Sequence, residues 1–575
     1  MKRVDLSCIN IKGDLAVRSG LNYTRMEGDW YRPEEIFKAD SHGWPGDWEG
    51  RVILALVMLE QSTHRTSAYL DEIISILPAH LNEKGYLGPI LPENTFDEQH
   101  FSGQSWMLRA LTAYYQYKKD PRVLSILEGM VRNFLLPVKG SYALYPIEPG
   151  KRFTVQTPWV LSRLQTKTKH HAETSDAGCA FMMIDGATAA YELLNEPALK
   201  ELLKELIEEM ISRFMEMDLE ALNIQTHATL SATRGMLRYY RLTGEKRYLD
   251  MALARYRLYR KSAWTECYGN FNWFGAPRWT ESCAIIDSFI VAVKLWQYTG
   301  DAAFLNDSHL IYYNALSHGN RINGSFGTDR CCGALETDDN LFLTPVNYET
   351  YWCCTMRGGE GFARAIGYCC FAEGSTVTFP FFHSFEAAIT LENGPIAFEM
   401  TSKYPFRDII EIIIKNADLK SPCRLALFVP EWAGNARLSL NDKLLPQTPE
   451  NGFLCVEQLF KPGDIITLNL DMRTRSEETL FDNCVRGYHK FFYGPMLLGR
   501  EAEKEISSTD GNRFENYAES KYKSSGIVSI PADAELTRID DSVFLVAGTD
   551  IRLTSLCSVR DMTREDTMRQ ILFRA

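Results

Sequence analysis

The hydrophobic pattern changes its period near residue 375, and this change constrains the fold more than any other feature of the chain. Upstream, from about residue 30, apolar residues recur with a period of about 3.6, which predicts helices. Downstream the period is about 2. In 464–472 (DIITLNLDM), Leu468, Leu470 and Met472 alternate with polar residues, as in a sheet with one wet face. The sequence therefore predicts a helical region followed by a β-sandwich.

The helical region repeats a motif in which an aromatic residue precedes an acidic residue by five positions. The four instances are Tyr115 with Asp120, Tyr191 with Glu196, Tyr240 with Glu245, and Trp296 with Asp301. Each predicts a helical hairpin, in which one helix ends at a polar or glycine turn and the acid begins the next helix. Such hairpins stack either as a solenoid or as an (α/α) toroid. We favour the toroid, because its loops converge on a central cleft.

Two kinds of helix are expected in this toroid. The segment 283–296 (CAIIDSFIVAVKLW) is apolar almost all round and predicts an inner helix. The segment 198–214 (ALKELLKELIEEMISRF) is amphipathic and predicts an outer helix.

Composition excludes some classes of partner. The formal net charge of −12 predicts a surface that repels nucleic acid and anionic membranes. No apolar run approaches the roughly 20 residues that a membrane helix needs. The 14 cysteines, without an apolar export segment near the N-terminus, predict a reducing cytoplasm where they stay thiols or bind metal. We expect neither nucleic-acid nor membrane partners, and the oligomeric state stays open.

Two cysteine-containing strings, 279–284 (WTESCA) and 352–361 (WCCTMRGGEG), provide a candidate metal site. Glu281, Cys283, Cys353 and Cys354 offer one carboxylate and three thiols, a full tetrahedral set for zinc. We place both strings at the N-terminal approaches of helices, where the helix dipole favours thiolates. The alternative is a set of buried free cysteines. Iron or another thiophilic metal is also left open.

These strings and three downstream segments carry a family resemblance. The segments are 428–441 (FVPEWAGNARLSLN), 462–475 (PGDIITLNLDMRTR) and 488–499 (YHKFFYGPMLLG). Together with WTESCAIIDSF and the Trp-Cys-Cys string, they resemble glycoside hydrolase family 127, the β-L-arabinofuranosidase family and its relatives. The resemblance implies an (α/α)6 barrel followed by β-sandwich domains.

Domain boundaries follow from the resemblance and the change of period. We predict an N-terminal strand segment at 1–25 that packs on the β region, and the catalytic barrel at 26–375. A β-sandwich is expected at 376–480, and a second sandwich, or the completion of the first, at 481–575.

The resemblance also implies roles for individual residues. Zinc is expected on Glu281, Cys283, Cys353 and Cys354, with Cys353 as the nucleophile and Glu266 as the acid/base. A retaining glycosidase needs such a nucleophile and an acid that protonates the leaving oxygen and later activates water.

Further residues are expected to form the substrate pocket. Trp264 and Trp279 are expected to form an apolar wall beside Glu266 and to contact substrate. His227 is expected to reach the sugar, its alternative being a helix-capping or packing histidine.

Several residues compete for these roles. Glu360 and Asp287 are rival acids, whereas Cys267 and the pair Cys331–Cys332 are expected to be structural. Asp47 and Glu49 are expected either to contact sugar or to serve as the acidic start of a helix.

Two positions depart from the family pattern. Where relatives carry a histidine, this chain has Trp106 and Ala180, so the resemblance implies a rebuilt sugar pocket.

The leading prediction is a zinc-dependent retaining glycosidase that acts on a β-L-arabinofuranoside or a related small glycoside or oligosaccharide. One alternative is an (α/α)-barrel sugar epimerase or isomerase. Such enzymes use paired histidines, and the 11 histidines here show no evident pair at helical spacing. Another alternative is a non-catalytic sugar-binding protein whose zinc site, closed by four protein ligands, is structural.

Overall fold

The computed structural model describes most of the chain. Its described residues are 1–38, 44–90, 97–144, 177–214, 219, 224–274, 279–330, 332, 341–479, 487–506, 522–524, 526–558 and 567–574.

The repeated aromatic–acid motif forms the predicted helical hairpins. The helix Glu98–Lys118 ends at Lys119, which has a left-handed backbone (φ 58°) and donates its N–H to the carbonyl of Tyr115. Asp120 then caps the helix Pro121–Met130 by accepting the N–H of Arg122. Asn195, Gly244 and Gly300 end the other three helices in the same left-handed conformation. The four hairpins thus share one local cause, an αL residue between the aromatic and the acid.

Six of the described helices form a closed inner ring, in which each packs on the next and the last packs on the first. In ring order they are Asp47–Thr63, Glu98–Lys118, Met183–Leu194, Thr226–Thr243, Ser282–Thr299 and Cys354–Gly367. The helix Ser282–Thr299 is buried nearly all round, as its sequence predicts. The toroid is therefore confirmed and the solenoid is excluded.

The outer helices bury only one face. Pro197–Glu209 buries the stripe Leu199, Leu202, Leu203, Leu206 and Ile207, and its charged residues are exposed or partly exposed. The outer helices described are Gly13–Met26, Leu70–Ile76, Pro121–Met130, Pro197–Glu209, Lys246–Ser262 and Ala303–Leu310. None of the described helices combines the length and the hydropathy that a bilayer crossing requires.

The N-terminal segment is only partly a strand segment. Lys2–Arg3 pairs with Phe371–Glu373, and Ile9–Ile11 pairs with Phe385–Leu391, so these two strands join the β region. Gly13–Met26, however, is a helix, which corrects the strand prediction for the second half of 1–25. Leu15, Tyr23 and Met26 are buried at helical spacing, which explains the helix.

The β region begins with two sheets. The strand order of the first is Lys2–Arg3, Phe371–Glu373, Thr376–Phe379, Cys423–Phe428 and Phe453–Gln458. The second runs Lys443–Leu445, Arg437–Leu440, Ile465–Asn469, Ile409–Ala417, Gly394–Ser402, Phe385–Leu391 and Ile9–Ile11.

A third sheet connects the C-terminal region to the barrel. Its order is Leu536–Arg538, Val543–Val546, Arg552–Ser555, Met496–Ile506, Thr567–Gln570, Phe342–Asn347, Thr328–Arg330 and Trp279–Glu281. His489–Tyr493 pairs with both Thr474–Glu478 and Met496–Ile506, and Tyr522–Ser524 also pairs with Met496–Ile506. Because Glu281 ends the last strand of this order, the C-terminal region shares a sheet with a residue of the candidate site.

Candidate active site

The Glu-x-Cys and Cys-Cys strings lie at the N-termini of two adjacent inner helices. Glu281 is the N-cap of Ser282–Thr299, and Cys283 lies in its first turn. Cys353 is the N-cap of Cys354–Gly367, and Cys354 is its first residue. The partial positive charge at both helix N-termini favours anionic ligands at this point.

The structure brings these four side chains together. One ligand atom from each of Glu281, Cys283, Cys353 and Cys354 lies within 4.8 Å of all the others. The Sγ atoms of Cys283 and Cys353 are 3.0 Å apart, and Cys353 Sγ lies 3.3 Å from Glu281 Oε1. Burial is complete for Cys283 and Cys354, whereas Cys353 is only partly buried. Cys353 is therefore the most accessible sulfur of the cluster.

A buried arginine contacts the cluster. Arg51 Nη1 lies 3.4 Å from Cys283 Sγ and 3.6 Å from Cys353 Sγ. Asp47 holds the guanidinium in two hydrogen bonds, at 2.8 Å and 2.9 Å, and the ring of Trp106 lies 4.1 Å from its Cζ. The cation is thus fixed beside the sulfur atoms.

Protons are distributed unevenly within the cluster. Hydrogen bonds from the thiols of Cys283 and Cys354 hold the pKa of Cys353 well below its usual range, with help from Arg51. Burial raises the pKa values of Glu281, Cys283 and Cys354. Without metal, the cluster therefore favours a thiolate on Cys353 and the protonated forms of its neighbours.

The donor set fits a thiophilic metal ion. Zinc accepts cysteine sulfur and carboxylate oxygen as ligands, and the four donor atoms here lie within 4.8 Å of one another. In addition, the buried Glu281 Oε2 has no hydrogen-bond partner among the described residues. The cluster could therefore hold a metal ion.

His227 lies in the first turn of the inner helix Thr226–Thr243 and presents one ring nitrogen without a partner. Its Nδ1 lies 2.8 Å from Asp287 Oδ2, whereas the buried Nε2 has no partner among the described residues. Burial lowers the pKa of His227, so the ring is neutral near pH 7. With Nδ1 donating to Asp287, Nε2 is left as an acceptor. The ring stacks on Trp106 with a centroid separation of 6.1 Å.

Glu266 lies in the turn between Trp264 and Asn270, and its charged partner comes from the C-terminal region. Lys490 Nζ lies 2.7 Å from Glu266 Oε2, and neither side chain is exposed to solvent. A buried cation therefore lies beside Glu266, where an apolar wall was expected. Trp264 donates its Nε1–H to the carbonyl of Tyr268. Trp279 lies in the strand Trp279–Glu281, but its side chain is outside the described part of the structure.

The rival acids belong to a buried ion-pair network between the inner helices. Asp287 pairs with Arg234 at 2.5 Å and also with Arg357, and Glu360 pairs with Arg109 and Arg357. Asp185 completes the network by pairing with Arg109, Arg234 and Arg238. Although burial opposes it, the arginines hold the pKa of Asp287 far below its usual range.

The remaining candidates occupy structural positions. Glu49 Oε2 accepts the N–H of Gly46 at 3.1 Å, and Asp47 begins the helix Asp47–Thr63, so both acids serve as its acidic start. Cys267 is buried, with its Sγ 3.2 Å from Thr265 Oγ1. Cys332 is buried, whereas Cys331 lies outside the described residues.

Two contacts of the site were not expected from the sequence, those of Arg51 with the cysteine sulfurs and of Lys490 with Glu266. The i,i+4 spacing of Asp47 and Arg51 at a helix start is a signal for their ion pair. It does not indicate that the arginine reaches sulfur. For Lys490, no local signal relates it to Glu266, which lies 224 residues earlier in the chain.

Comparisons with known proteins agree with this picture. Residues 376–472 match the family model described as Beta-L-arabinofuranosidase, GH127 middle domain. A GH127 beta-arabinofuranosidase structure superposes with TM-score 0.68 at 13% identity, over 100% of this chain and 97% of the other. A GH127 beta-L-arabinofuranosidase from Geobacillus stearothermophilus T6 superposes with TM-score 0.67 at 12% identity, over 98% and 99%. At these identities the likeness concerns the fold, and the predicted (α/α)6 barrel with C-terminal β-sheet domains is confirmed. The search of curated proteins finds no match.

Proposed function

We infer that the chain belongs to glycoside hydrolase family 127 and propose that it is a retaining glycosidase with Cys353 as its nucleophile. The family model and the shared fold support the family and, with it, the enzyme class. One observation carries the mechanism: Glu281, Cys283, Cys353 and Cys354 meet at two helix N-termini. The substrate we propose is a β-L-arabinofuranoside or a related small glycoside.

In this proposal Cys353 and Glu266 divide the chemistry. The Cys353 sulfur attacks the anomeric carbon while Glu266 gives its proton to the leaving oxygen, so the C–O bond breaks as the S–C bond forms. Glu266 then takes a proton from water, which attacks the same carbon and releases the thiolate. Retention follows from two inversions at one centre.

The other residues bind and orient. His227 Nε2 is placed to accept a hydrogen bond from a sugar hydroxyl. Arg51 fixes the position of the Cys353 sulfur. A zinc ion bound by Glu281, Cys283, Cys353 and Cys354 would keep the thiols deprotonated near neutral pH. Cytoplasmic location belongs to the proposal, since the described cysteines are all free thiols.

The test compares Cys353→Ala with Cys369→Ala, a matched control at a buried thiol away from the cluster. Turnover of a chromogenic β-L-arabinofuranoside should fall by about 10³-fold or more in the first variant and stay unchanged in the second. Product anomers followed by NMR should show retention, and acid-quenched protein should carry a glycosyl adduct on the Cys353 peptide. An adduct on another residue would contradict the proposal. Unchanged turnover in Cys353→Ala, with zinc still bound, would favour a structural metal site.

A further inference from the structure

The acid/base carboxyl lies in a tight turn that the C-terminal region holds from outside the barrel. In this turn Trp264 and Asn270 form an isolated bridge, and Thr265 donates its N–H to the carbonyl of Gly269. Tyr268 has a left-handed backbone (φ 63°), which is unfavourable for a tyrosine. Such a conformation persists where the surroundings hold it.

Lys490 contacts this turn through several atoms of Glu266 and Tyr268. From the strand His489–Tyr493, its Nζ lies 2.7 Å from Glu266 Oε2, 3.3 Å from the Glu266 carbonyl and 3.5 Å from the Tyr268 hydroxyl. The ammonium also lies 4.8 Å from the centroid of the Tyr268 ring. One buried cation thus contacts the backbone and side chain of Glu266 and the strained residue two positions later.

Other charged groups keep this lysine in its ionised form. Burial opposes the charge, but Tyr268, Glu266 and Glu477 raise the pKa of Lys490 above its usual range. Glu477 lies directly opposite Lys490 in the strand ladder, and its Oε1 accepts a hydrogen bond from Arg475 at 2.7 Å. Lys490 also has an electrostatic interaction with Cys267.

An ammonium group has only hydrogen-bond donors, which restricts where a proton can lie on the carboxyl. Because Lys490 Nζ lies 2.7 Å from Oε2, a proton on that oxygen would face the positive ammonium group. The proton of the acid form is therefore confined to Oε1. A lysine at this place selects the oxygen that delivers the proton, and it stabilises the carboxylate that later receives one.

We propose that Lys490 is a positioning residue for the acid/base, supplied to the barrel site by the C-terminal region. The proposal rests on the proposed function, since it acts through Glu266. Its consequence is that the site is complete only when the strand His489–Tyr493 lies against the Trp264–Asn270 turn.

The experiment uses the full-length protein and the pH profile of kcat/KM on a glycoside with a poor leaving group. In Lys490→Met the plateau should fall by roughly 10-fold. The alkaline limb should move to higher pH, because the variant lacks the cation that lies 2.7 Å from the carboxylate. Lys490→Arg, which keeps the cation, should return the limb to the wild-type position.

A control variant separates positioning from general loss of stability. Arg538→Met removes a cation that donates to the Phe406 carbonyl at 2.6 Å and to the Tyr493 hydroxyl at 3.0 Å, at the other end of the strand that carries Lys490. It should lower the thermal midpoint without moving the alkaline limb. If Lys490→Met lowers the plateau and leaves the limb in place, or if Lys490→Arg shows the same limb shift as Lys490→Met, the positioning role is overturned.

A separate arm tests the premise. Glu266→Gln should lose most activity on the poor leaving group and much less on a dinitrophenyl glycoside, whose leaving group needs no proton. Full activity of Glu266→Gln on the poor leaving group would overturn the acid/base assignment itself. Loss of activity in Glu266→Gln, combined with an unshifted profile in Lys490→Met, would overturn only the inference about Lys490.

Discussion

The metal-ligand cluster and the ion-pair network are both buried and charged, but their hydrogen bonding differs. In the network, every carboxylate oxygen of Asp185, Asp287 and Glu360 has a cation or a donor as partner. In the cluster, Glu281 Oε2 has no partner among the described residues, and the adjacent His227 leaves its Nε2 without one. The acids of the network are therefore fully paired, although Arg109 Nη1 and Arg357 Nε have no partner among the described residues. Since an unpartnered buried polar atom costs free energy, the open oxygen and ring nitrogen at the cluster are consistent with binding a ligand there.

Replacing an acid of the network and an acid of the cluster by their amides tests this comparison. The measured quantity is the stability of the metal-free protein, and the change in it should be the most pronounced of those predicted. Asp287→Asn leaves the buried Arg234 and Arg357 short of a counter-charge and should cost about 3–5 kcal/mol in stability. Glu281→Gln should change stability by less than about 1 kcal/mol, because burial already raises the pKa of Glu281 and keeps it neutral. Thermal unfolding with a chelator present measures both. Equal losses of stability in the two variants would contradict the difference between the network and the cluster.

An intermediate effect concerns metal affinity and pH. In the metal-free cluster, burial raises the pKa values of Glu281, Cys283 and Cys354, so these groups keep protons that metal binding must release. Affinity should therefore rise with pH, by about tenfold per pH unit for each proton released. Competition with a chromogenic chelator between pH 6 and 8 measures the slope. An affinity independent of pH would show that the ligands are already ionised.

The smallest expected effect compares two buried histidines. His227→Asn keeps a donor towards Asp287 but deletes Nε2, and we expect KM to rise by about 5- to 10-fold, the value of one hydrogen bond. His309 has partners on both nitrogens, the Tyr404 hydroxyl at 3.1 Å and the Pro380 carbonyl at 2.8 Å. His309→Asn should therefore lower the thermal midpoint and leave KM unchanged. A KM unaffected in His227→Asn would assign that histidine to packing.

Much of the fold could be predicted because its signals are local. The αL residues Lys119, Asn195, Gly244 and Gly300 each follow an aromatic residue by four positions and end a helix there. Local signals were ambiguous in 1–25, where strand residues precede a helix within a few positions. The ligand set, and its meeting at one point, could be predicted from residue types and the family resemblance. No local signal required it, since 70 residues separate Cys283 from Cys353.

The helical hairpins, the change to strands and the chemical types of the ligands follow from the order of residues, because period, capping and side-chain chemistry are properties of neighbouring residues. Which charges meet depends on the packed fold. Closure of the helical ring brought Arg51 to sulfur atoms 232 and 302 residues away, and the C-terminal strand brought Lys490 to Glu266. Buried charges need oppositely charged or hydrogen-bonding partners. Packing of the folded chain supplies these partners from residues that are far apart in the sequence.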